Sequence, residues 1–442
     1  MSLFGTDGVR GVAGEVLTAK LAVALGCAAT ALTDAKRPQV LIVRDTRESG
    51  PMLAAGLAAG VAQAGGDALI GGVLPTPAAS VLVRRLGLDL AAVISASHNP
   101  WRDNGIKFFG ADGRKLEHAL EQRIESAIAA GGSASAGRSG PPVGRIRRLE
   151  GSLEDYLRAL AEAFTIDLSG RRIVLDCANG ATHRAAPAAF RGLGAELELI
   201  GVEPDGRNIN EGCGSTCPKP LAARVRESGA ELGFAFDGDG DRVIAADANG
   251  RVRDGDELIA LAALHLREAG ELGGVAVTVM SNYGFHQAME GAGIEVATTP
   301  VGDRHVSSEL ERRDWALGGE QSGHIIWREF APTGDGIAAA LLAVTALAGR
   351  DLAETEPMRQ LPQLLRNLEV ADRAAIEGAK GLWDAVEHEN SGLEGRGRVL
   401  VRASGTEPLL RVMVEAPSEE ECAAISERLV ERAREELGAA PA

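Results

Sequence analysis

The chain has 442 residues, 45% of them hydrophobic and 24% charged, with a formal net charge of −16. That composition is ordinary for a globular chain of about three domains, and the acidic balance argues against non-specific binding to nucleic acid or to anionic membrane surfaces. No window approaches the roughly 18 uninterrupted apolar residues of a membrane span, and the N-terminus MSLFGTDGVRG has no apolar signal core, so a cytoplasmic protein is expected.

In chain order, VLIVRDTRESG (40–50) reads as a short buried strand ending in a polar turn. GGDALIGGVLPTP (65–77) is a second strand ending near proline, and AAVISASHNPWRDNGIKFF (91–109) is strand, polar loop and strand. The pattern returns in IVLDCANG (173–180), GAELELIGVEPDG (194–206) and LGFAFDGDGDRVIAADANG (232–250). It returns again in VAVTVMSNYG (275–284), AGIEVATTPVGD (292–303) and WALGGEQSGHIIW (315–327). An Ala- or Leu-rich helical stretch follows the first strand of each copy. The alternation implies layered α/β units with largely parallel sheets. In every copy the odd polar loop falls at the end of the third strand, where ligand sites of open α/β sheets gather.

The segment AGGSASAGRSGPPVG (130–144) is a Gly/Ser/Pro linker, and Ser152 is expected to cap a helix running to about Phe164. After about residue 366 the chain reads as α+β. LLRVMVE alternates as a strand does, and Ser418 with Glu421 fits a capping box opening the last amphipathic helix. The expected domains are 1–150, 151–252, 253–366 and 367–442. Of the five cysteines, Cys27, Cys177, Cys213, Cys217 and Cys422, only Cys213 and Cys217 are close in sequence. Zinc would need two more ligands nearby, so the pair reads as reduced loop thiols.

FDGDGDRV (236–243) places Asp237, Asp239 and Asp241 at alternating positions with only glycines between them. Alternate residues of extended chain face one side, and the glycines allow the carboxylates to converge. Unpaired, they would repel until one took up a proton. A divalent cation removes that cost, and an all-oxygen donor set suits Mg²⁺, Mn²⁺ or Ca²⁺. An EF-hand loop fails, because Arg242 and Ala248 stand where Gly and Glu are required. A phospho-aspartate phosphatase motif and a solvated acidic turn remain open for this segment taken alone.

ISASHNP (94–100) offers Ser95 and Ser97 as nucleophiles, each needing activation by a base or a metal. It is not the G-x-S-x-G elbow of acyl-transfer enzymes, and a plain serine-rich turn is the alternative. GEQSGH (319–324) offers Glu320 and Ser322 for sugar hydroxyls. His324 either moves protons or is a hydrogen-bonded loop histidine. RASGTEPLLR (402–411) crowds Arg402, Ser404, Gly405, Thr406 and Arg411 around a tight turn. Such a turn suits phosphate, or is a hairpin with solvated arginines.

SASHNP, DGDGDR, GEQSGH and RASGTEP occur in this order, one per domain. With these motifs essentially the whole chain resembles the α-D-phosphohexomutase superfamily. FGTDGVRG, GGEQSGH and RVMVE look most like its members that act on an amino-sugar phosphate. Members acting on glucose or mannose phosphates more often carry Met in place of Gln321. The resemblance implies a heart-shaped four-domain architecture of three similar α/β domains and a C-terminal α+β domain.

The resemblance also implies the site. Ser97 would be phosphorylated, and Asp237, Asp239 and Asp241 would hold Mg²⁺ with an oxygen of phosphorylated Ser97. Glu320 and Ser322 would contact sugar hydroxyls. Arg402, Ser404, Gly405, Thr406 and Arg411 would grip the phosphate that is not reacting. Lys107 and His324 are candidates for general acid and base, and Arg10, Arg47 and Arg242 would add positive charge near the phosphoryl group. Cys217 stands where a histidine or acidic residue is commoner. Pro300 stands where a basic residue is frequent, which shifts that contact toward Arg304.

The implied activity interconverts glucosamine 6-phosphate and glucosamine 1-phosphate through a sugar 1,6-bisphosphate, feeding UDP-N-acetylglucosamine and cell-wall precursor synthesis. Action on mannose or glucose phosphates is the alternative. A phosphoserine-dependent phosphatase and a phosphosugar-binding protein without turnover stand further off. The expected partner is a small phosphosugar, with no nucleic acid and no membrane, in a monomer or homodimer.

Overall fold

A computed structural model describes residues 3–5, 7–130, 143–370, 372, 375–403 and 409–441. By packing, the chain forms two units. One comprises Met1–Val279 with Ala297–Glu356, the other Met280–Val296 with Pro357–Ala442.

The first unit holds three sheets built on one strand order. In the first sheet, Asp67–Val73, Gln39–Arg44, Leu90–Ile94 and Asp103–Gly110 lie side by side. The first three are parallel, and the fourth runs antiparallel to the third. The second sheet repeats this with Glu196–Ile200, Arg172–Asp176, Leu232–Phe236 and Val243–Asp247. The third repeats it with Val296–Thr299, Val275–Thr278, Leu317–Gly319 and Ile325–Trp327. The weak sequence repeat is thus a repeat of topology.

The sheets are mixed rather than largely parallel. A parallel return needs a crossover of a dozen or so residues, whereas an antiparallel neighbour needs only a short turn. Each fourth strand follows its third after such a turn, so each motif loop is the tip of a hairpin. Short strands extend two of the sheets. Val9–Val12 pairs antiparallel with Asp103–Gly110, Ile146–Arg148 pairs parallel with Asp67–Val73, and Val252–Arg253 pairs antiparallel with Val243–Asp247.

Helices Ala19–Ala31 and Gly50–Gln63 cover the first sheet over a core that includes Leu25, Ile42, Leu53, Leu57, Ile94 and Ile106. They approach closely because glycine stands at the crossing. A Cβ at Gly26 would lie 2.4 Å from the Leu57 carbonyl oxygen, and one at Gly60 2.1 Å from that of Val23. That approach explains glycine in a helix interior, where it costs about 1 kcal/mol against alanine. Helix Gly336–Leu347 is apolar but for Thr345 and is buried almost throughout. Asp335 caps it, accepting from the backbone N–H of Ile337 and Ala338 at 3.0 Å each.

Ser152 does not cap the next helix. It is the first residue of Ser152–Ala163, and Gly151, in the left-handed conformation, occupies the cap position. The Ser152 hydroxyl instead donates to the Gly71 carbonyl at 2.9 Å.

The second unit contains an antiparallel sheet in the order Arg398–Ala403, Leu409–Glu415, Gln363–Glu369, Ala440–Pro441. Its core joins Leu410, Val412 and Val414 to Leu382, Ile425 and Leu429 of helices Lys380–Gly392 and Glu419–Leu437. The sheet therefore starts at Gln363, a few residues before the expected switch near 366. Ser418 caps the last helix, accepting from Glu421 N–H at 3.2 Å. Helix Tyr283–Gly291 belongs to this unit, and its cap Asn282 exchanges two 3.0 Å hydrogen bonds with the backbone of Leu361. The five cysteines are free thiols. Among the described residues, no helix is long and apolar enough to cross a membrane.

Candidate active site

The hairpin tips of the first two sheets meet. A Cβ at Gly238 would lie 2.5 Å from the Ser97 carbonyl oxygen, so only glycine allows the approach. Ser97 is 2% exposed, has φ of 51°, and its hydroxyl donates to Asp237 Oδ2 at 2.5 Å. Ser95, the other candidate nucleophile, is turned elsewhere. Its hydroxyl donates to Asp45 Oδ2 at 2.6 Å and accepts from the Ser97 N–H at 3.0 Å.

Asp237, Asp239 and Asp241 are 0%, 1% and 5% exposed, and one carboxylate oxygen from each lies within 4.8 Å of the others. Asp237 Oδ1 accepts from the backbone N–H of Gly240 and Arg242 at 3.0 and 3.2 Å. Asp239 Oδ2 accepts from the Thr76 hydroxyl at 2.6 Å and from Lys107 Nζ at 2.8 Å. Burial, then Asp239 and Asp241, push the Asp237 carboxyl well above the ordinary range. Burial also opposes ionisation of Asp239, but Lys107 together with hydrogen bonds from Asp237 and Thr76 outweighs it and holds that group low.

These features fit a divalent cation. Asp239 Oδ1 and Asp241 Oδ1 are buried with no hydrogen-bond partner among the described residues. A buried acceptor without a donor is costly, and here two sit beside a third buried carboxylate. A hard cation with oxygen ligands would satisfy both and offset the repulsion among the three.

Positive groups ring the carboxylates. Lys107 is buried and lies 2.8, 3.7 and 3.8 Å from Asp239, Asp7 and Asp241. Burial disfavours its ammonium, yet these carboxylates raise its pKa above that of an ordinary lysine. Asp7 is bound by Arg10 and Lys115, and Lys115 also binds Asp303. Despite burial, Lys115 brings Asp303 down to about 2. Arg242 Nε is buried with no hydrogen-bond partner among the described residues and lies 3.9 Å from Asp241 Oδ1. His98 Nδ1 lies 3.3 Å from the Ser97 hydroxyl, and partial burial with Arg242 and Arg10 lowers its pKa.

His324 is 2% exposed, and both its ring nitrogens are engaged. Nδ1 lies 3.6 Å from Asp241 Oδ2, and Nε2 accepts from the Gly334 N–H at 3.2 Å. Two influences compete here. Burial favours the neutral ring, while Asp241, Asp303 and Glu320 outweigh it and raise the pKa. The Gly334 N–H can donate only to an unprotonated Nε2, so this geometry belongs to the neutral ring with its proton on Nδ1. The tip of the third hairpin is wetter. Glu320 is half-buried and accepts from Gly302 N–H at 3.0 Å, Ser322 is exposed, and Gln321 donates to Asp254 at 3.2 Å. A cavity of about 660 Å³ is lined by residues that include Lys115, Asp303, Arg304, His305 and His324.

Two of the expected positive charges, Arg47 at the phosphoryl group and Arg304 near the loop that follows Pro300, are engaged by other groups. Arg47 is fully buried among backbone carbonyls and Asp45. Arg304, expected to stand in for the basic residue that Pro300 displaces, forks onto Glu121. Thr76, Asp7, Lys115 and Asp303 join the site with no motif of their own, although Asp7 lies within the segment FGTDGVRG.

In the second unit, Arg402 and Arg411 are direct cross-strand partners. Burial and then Arg411 lower the pKa of Arg402. Like charges placed opposite each other destabilise a sheet, and an anion between them removes that cost. Ser404, Gly405 and Thr406 lie outside the described residues.

Four segments of the chain match the four domains of one family. Residues 1–135, 154–250 and 254–367 match phosphoglucomutase/phosphomannomutase alpha/beta/alpha domains I, II and III, and 365–432 match its C-terminal domain. The phosphoglucosamine mutase of Desulforudis audaxviator is 49% identical over 436 residues, covering 97% of each chain. That of Mycolicibacterium vanbaalenii is 50% identical over 438 residues, covering 97% of this chain and 98% of its own. A crystal structure of a phosphoglucomutase/phosphomannomutase family protein from Burkholderia thailandensis shares the fold. Its TM-score is 0.83 at 24% identity, over 100% of this chain and 99% of that one. The chain belongs to the phosphoglucomutase/phosphomannomutase family, among its phosphoglucosamine mutases.

Proposed function

We propose that this protein interconverts glucosamine 6-phosphate and glucosamine 1-phosphate, with Ser97 as the phosphorylated residue. Identity of about half to phosphoglucosamine mutases supports the substrate. The observation that carries the chemistry is the Ser97 hydroxyl, 2.5 Å from Asp237 within a buried cluster of three carboxylates. A serine there can carry a phosphoryl group that cations on several sides neutralise.

Phosphorylated Ser97 gives its phosphoryl group to O1 of the 6-phosphate. The Oγ–P bond breaks as the O1–P bond forms, the O1 proton passes to a base, and Ser97 Oγ regains a proton. The 1,6-bisphosphate turns in the site. Its O6–P bond then breaks as the Ser97 Oγ–P bond forms, the Oγ proton passes to a base and O6 takes up a proton, leaving the 1-phosphate. The same bisphosphate, supplied from outside, would prime the unphosphorylated enzyme. Phosphoryl transfer asks chiefly for positioning and charge neutralisation.

Asp237, Asp239 and Asp241 would hold Mg²⁺, whose charge would neutralise phosphoryl oxygens. Lys107, kept as an ammonium, and Arg242 suit the remaining negative charge, with Arg10 beside them. As an ammonium Lys107 supplies fixed positive charge and hydrogen-bond donors, its raised pKa making it a weak proton donor. His98 stands within reach of Ser97 to take the proton, and His324 orients Asp241. Glu320 and Ser322 suit sugar hydroxyls. Arg402 and Arg411 with Ser404, Gly405 and Thr406 suit the phosphate that is not reacting. A phosphosugar substrate that feeds precursor synthesis fits a cytoplasmic enzyme.

Initial rates with glucosamine, glucose and mannose 6-phosphates, each with Mg²⁺ and its own 1,6-bisphosphate, test this. A kcat/KM preference of about a hundredfold for the amino sugar, some 3 kcal/mol in the transition state, is expected. Equal or better rates on glucose or mannose would move the activity to those sugars. Free phosphate without isomerised sugar would make the protein a phosphatase.

A further inference from the structure

We infer that Arg47 is a positioning residue: it fixes the backbone of the Ser97 loop, and with it the aim of the hydroxyl, and lends no charge to the transferred group. This rests on the proposed phosphorylation of Ser97. Arg47 is 0% exposed. A guanidinium has five N–H donors, and here all five are used. Nε donates to Asp45 Oδ2 at 2.8 Å. Nη1 donates to the carbonyls of Pro100 and Asp103, the latter at 3.0 Å. Nη2 donates to those of Ser97 and Asn99 at 2.9 and 2.8 Å. One side chain thereby donates to four carbonyls of residues 97–103.

The arrangement matters at Ser97 because its φ is 51°. A residue with a side chain keeps that left-handed conformation only where its surroundings fix it. Both peptide groups of Ser97 are fixed. Its carbonyl accepts from Arg47 and from Asn210 Nδ2 at 3.0 Å, and its N–H donates to Ser95 Oγ at 3.0 Å. Ser95 Oγ in turn donates to Asp45 Oδ2, which also accepts from Arg47 Nε. Asp45, Arg47 and Ser95 thus form one buried frame. With both neighbouring peptide planes held, the Cα–Cβ direction is set and the hydroxyl meets Asp237. No N–H of Arg47 remains for a phosphoryl oxygen. Lysine has three donors on a flexible stem and cannot replace the fork.

The test compares wild type, Arg47→Lys and Ser95→Ala. The measurements are phosphate uptake at Ser97 from the sugar 1,6-bisphosphate by mass spectrometry, kcat and KM, and melting temperature. For Arg47→Lys, kcat and the rate of Ser97 phosphorylation are expected to fall together by about 100-fold, as a misplacement near 1 Å does, while KM stays near the wild-type value. Ser95→Ala is expected to lose about tenfold in kcat, the equivalent of one hydrogen bond. A residue acting by charge alone would be rescued by lysine. Wild-type kcat in Arg47→Lys, or a loss carried by KM alone, would overturn the inference. If that variant does not fold, wild-type kcat and uptake in Ser95→Ala would overturn it. Failure of wild type itself to take up phosphate at Ser97 would overturn the proposed function and this inference with it.

Discussion

The first two hairpin tips differ from the third in how much water they see. Ser97 and the three aspartates are each 5% exposed or less, and the Ser97 hydroxyl and Asp237 are held by named neighbours while Asp239 Oδ1 and Asp241 Oδ1 have no hydrogen-bond partner among the described residues. Glu320 is half-buried and Ser322 is exposed. One topology therefore carries two kinds of tip. Under the proposed function, the tip that would transfer charge is the dry one, which suits it because electrostatic interactions are stronger away from bulk water. The tip proposed to read the sugar has its donors and acceptors near solvent, able to accept a ligand that arrives hydrated.

The sharpest break of this comparison is at the dry tip. Ser97→Ala is expected to lower mutase turnover by more than about 10⁴-fold, because no other group can carry the phosphoryl intermediate. Residual turnover within tenfold of wild type, in protein that melts normally, would remove Ser97 from the chemistry.

The second break concerns what dryness costs. Asp335 caps the helix behind the three-aspartate loop, where the Gly336 N–H donates to the Gly240 carbonyl at 3.0 Å. Burial outweighs its hydrogen bonds to Ala338, Tyr156 and Ile337 and pushes its pKa from 3.8 up to about 6. A raised pKa in the folded state means a contribution to stability that is complete below about pH 4 and is lost as pH climbs through 6. Asp335→Asn does not titrate. The unfolding free energy of wild type minus that of Asp335→Asn should therefore fall by up to about 3 kcal/mol from pH 4 to pH 7, at roughly 1.4 kcal/mol per pKa unit. Chemical denaturation at both pH values measures it, and a flat difference would show that Asp335 is not strained by burial.

A third measurement separates metal holding from sugar reading. Asp239→Asn should weaken Mg²⁺ binding by about 100-fold in calorimetric titration, whereas Ser322→Ala should leave it unchanged. An unchanged titration in Asp239→Asn would take the metal away from this loop.

Much of this layout is legible in the sequence because its signals are contiguous. Apolar runs with Gly and polar ends mark the three repeats, and FDGDGDRV marks the carboxylates, since adjacent residues need no knowledge of the fold to be brought together. The rest depends on partners far apart in the chain. Thr76 and Asp239 are 163 residues apart, and nothing local to LPTPAAS marks the threonine as a partner of that carboxylate. Lys115 between Asp7 and Asp303 is equally invisible. Arg47 and Arg304 read as free charge, because a sequence shows that a charge exists but not what already holds it. Ser152 falls one position inside its helix rather than at the cap, because a left-handed Gly151 takes that place.

The smallest expected effect tests the wet tip. Under the proposed function, Ser322→Ala and Glu320→Gln would each remove or weaken one contact to a sugar hydroxyl, and a hydrogen bond that water can replace contributes about 1 kcal/mol. KM for glucosamine 6-phosphate should rise by up to about tenfold, with kcat nearly unchanged, because a contact made equally in ground and transition states affects binding alone. Glu320 carries a further load, since Gly302 N–H donates to it at 3.0 Å and a glutamine can still accept there. Glu320→Gln therefore tests charge without disturbing that turn, while Ser322→Ala touches no internal hydrogen bond described for its side chain. A large fall in kcat in either variant would mean that this tip acts on the reacting atoms. The division between a dry tip that reacts and a wet tip that reads would then be wrong.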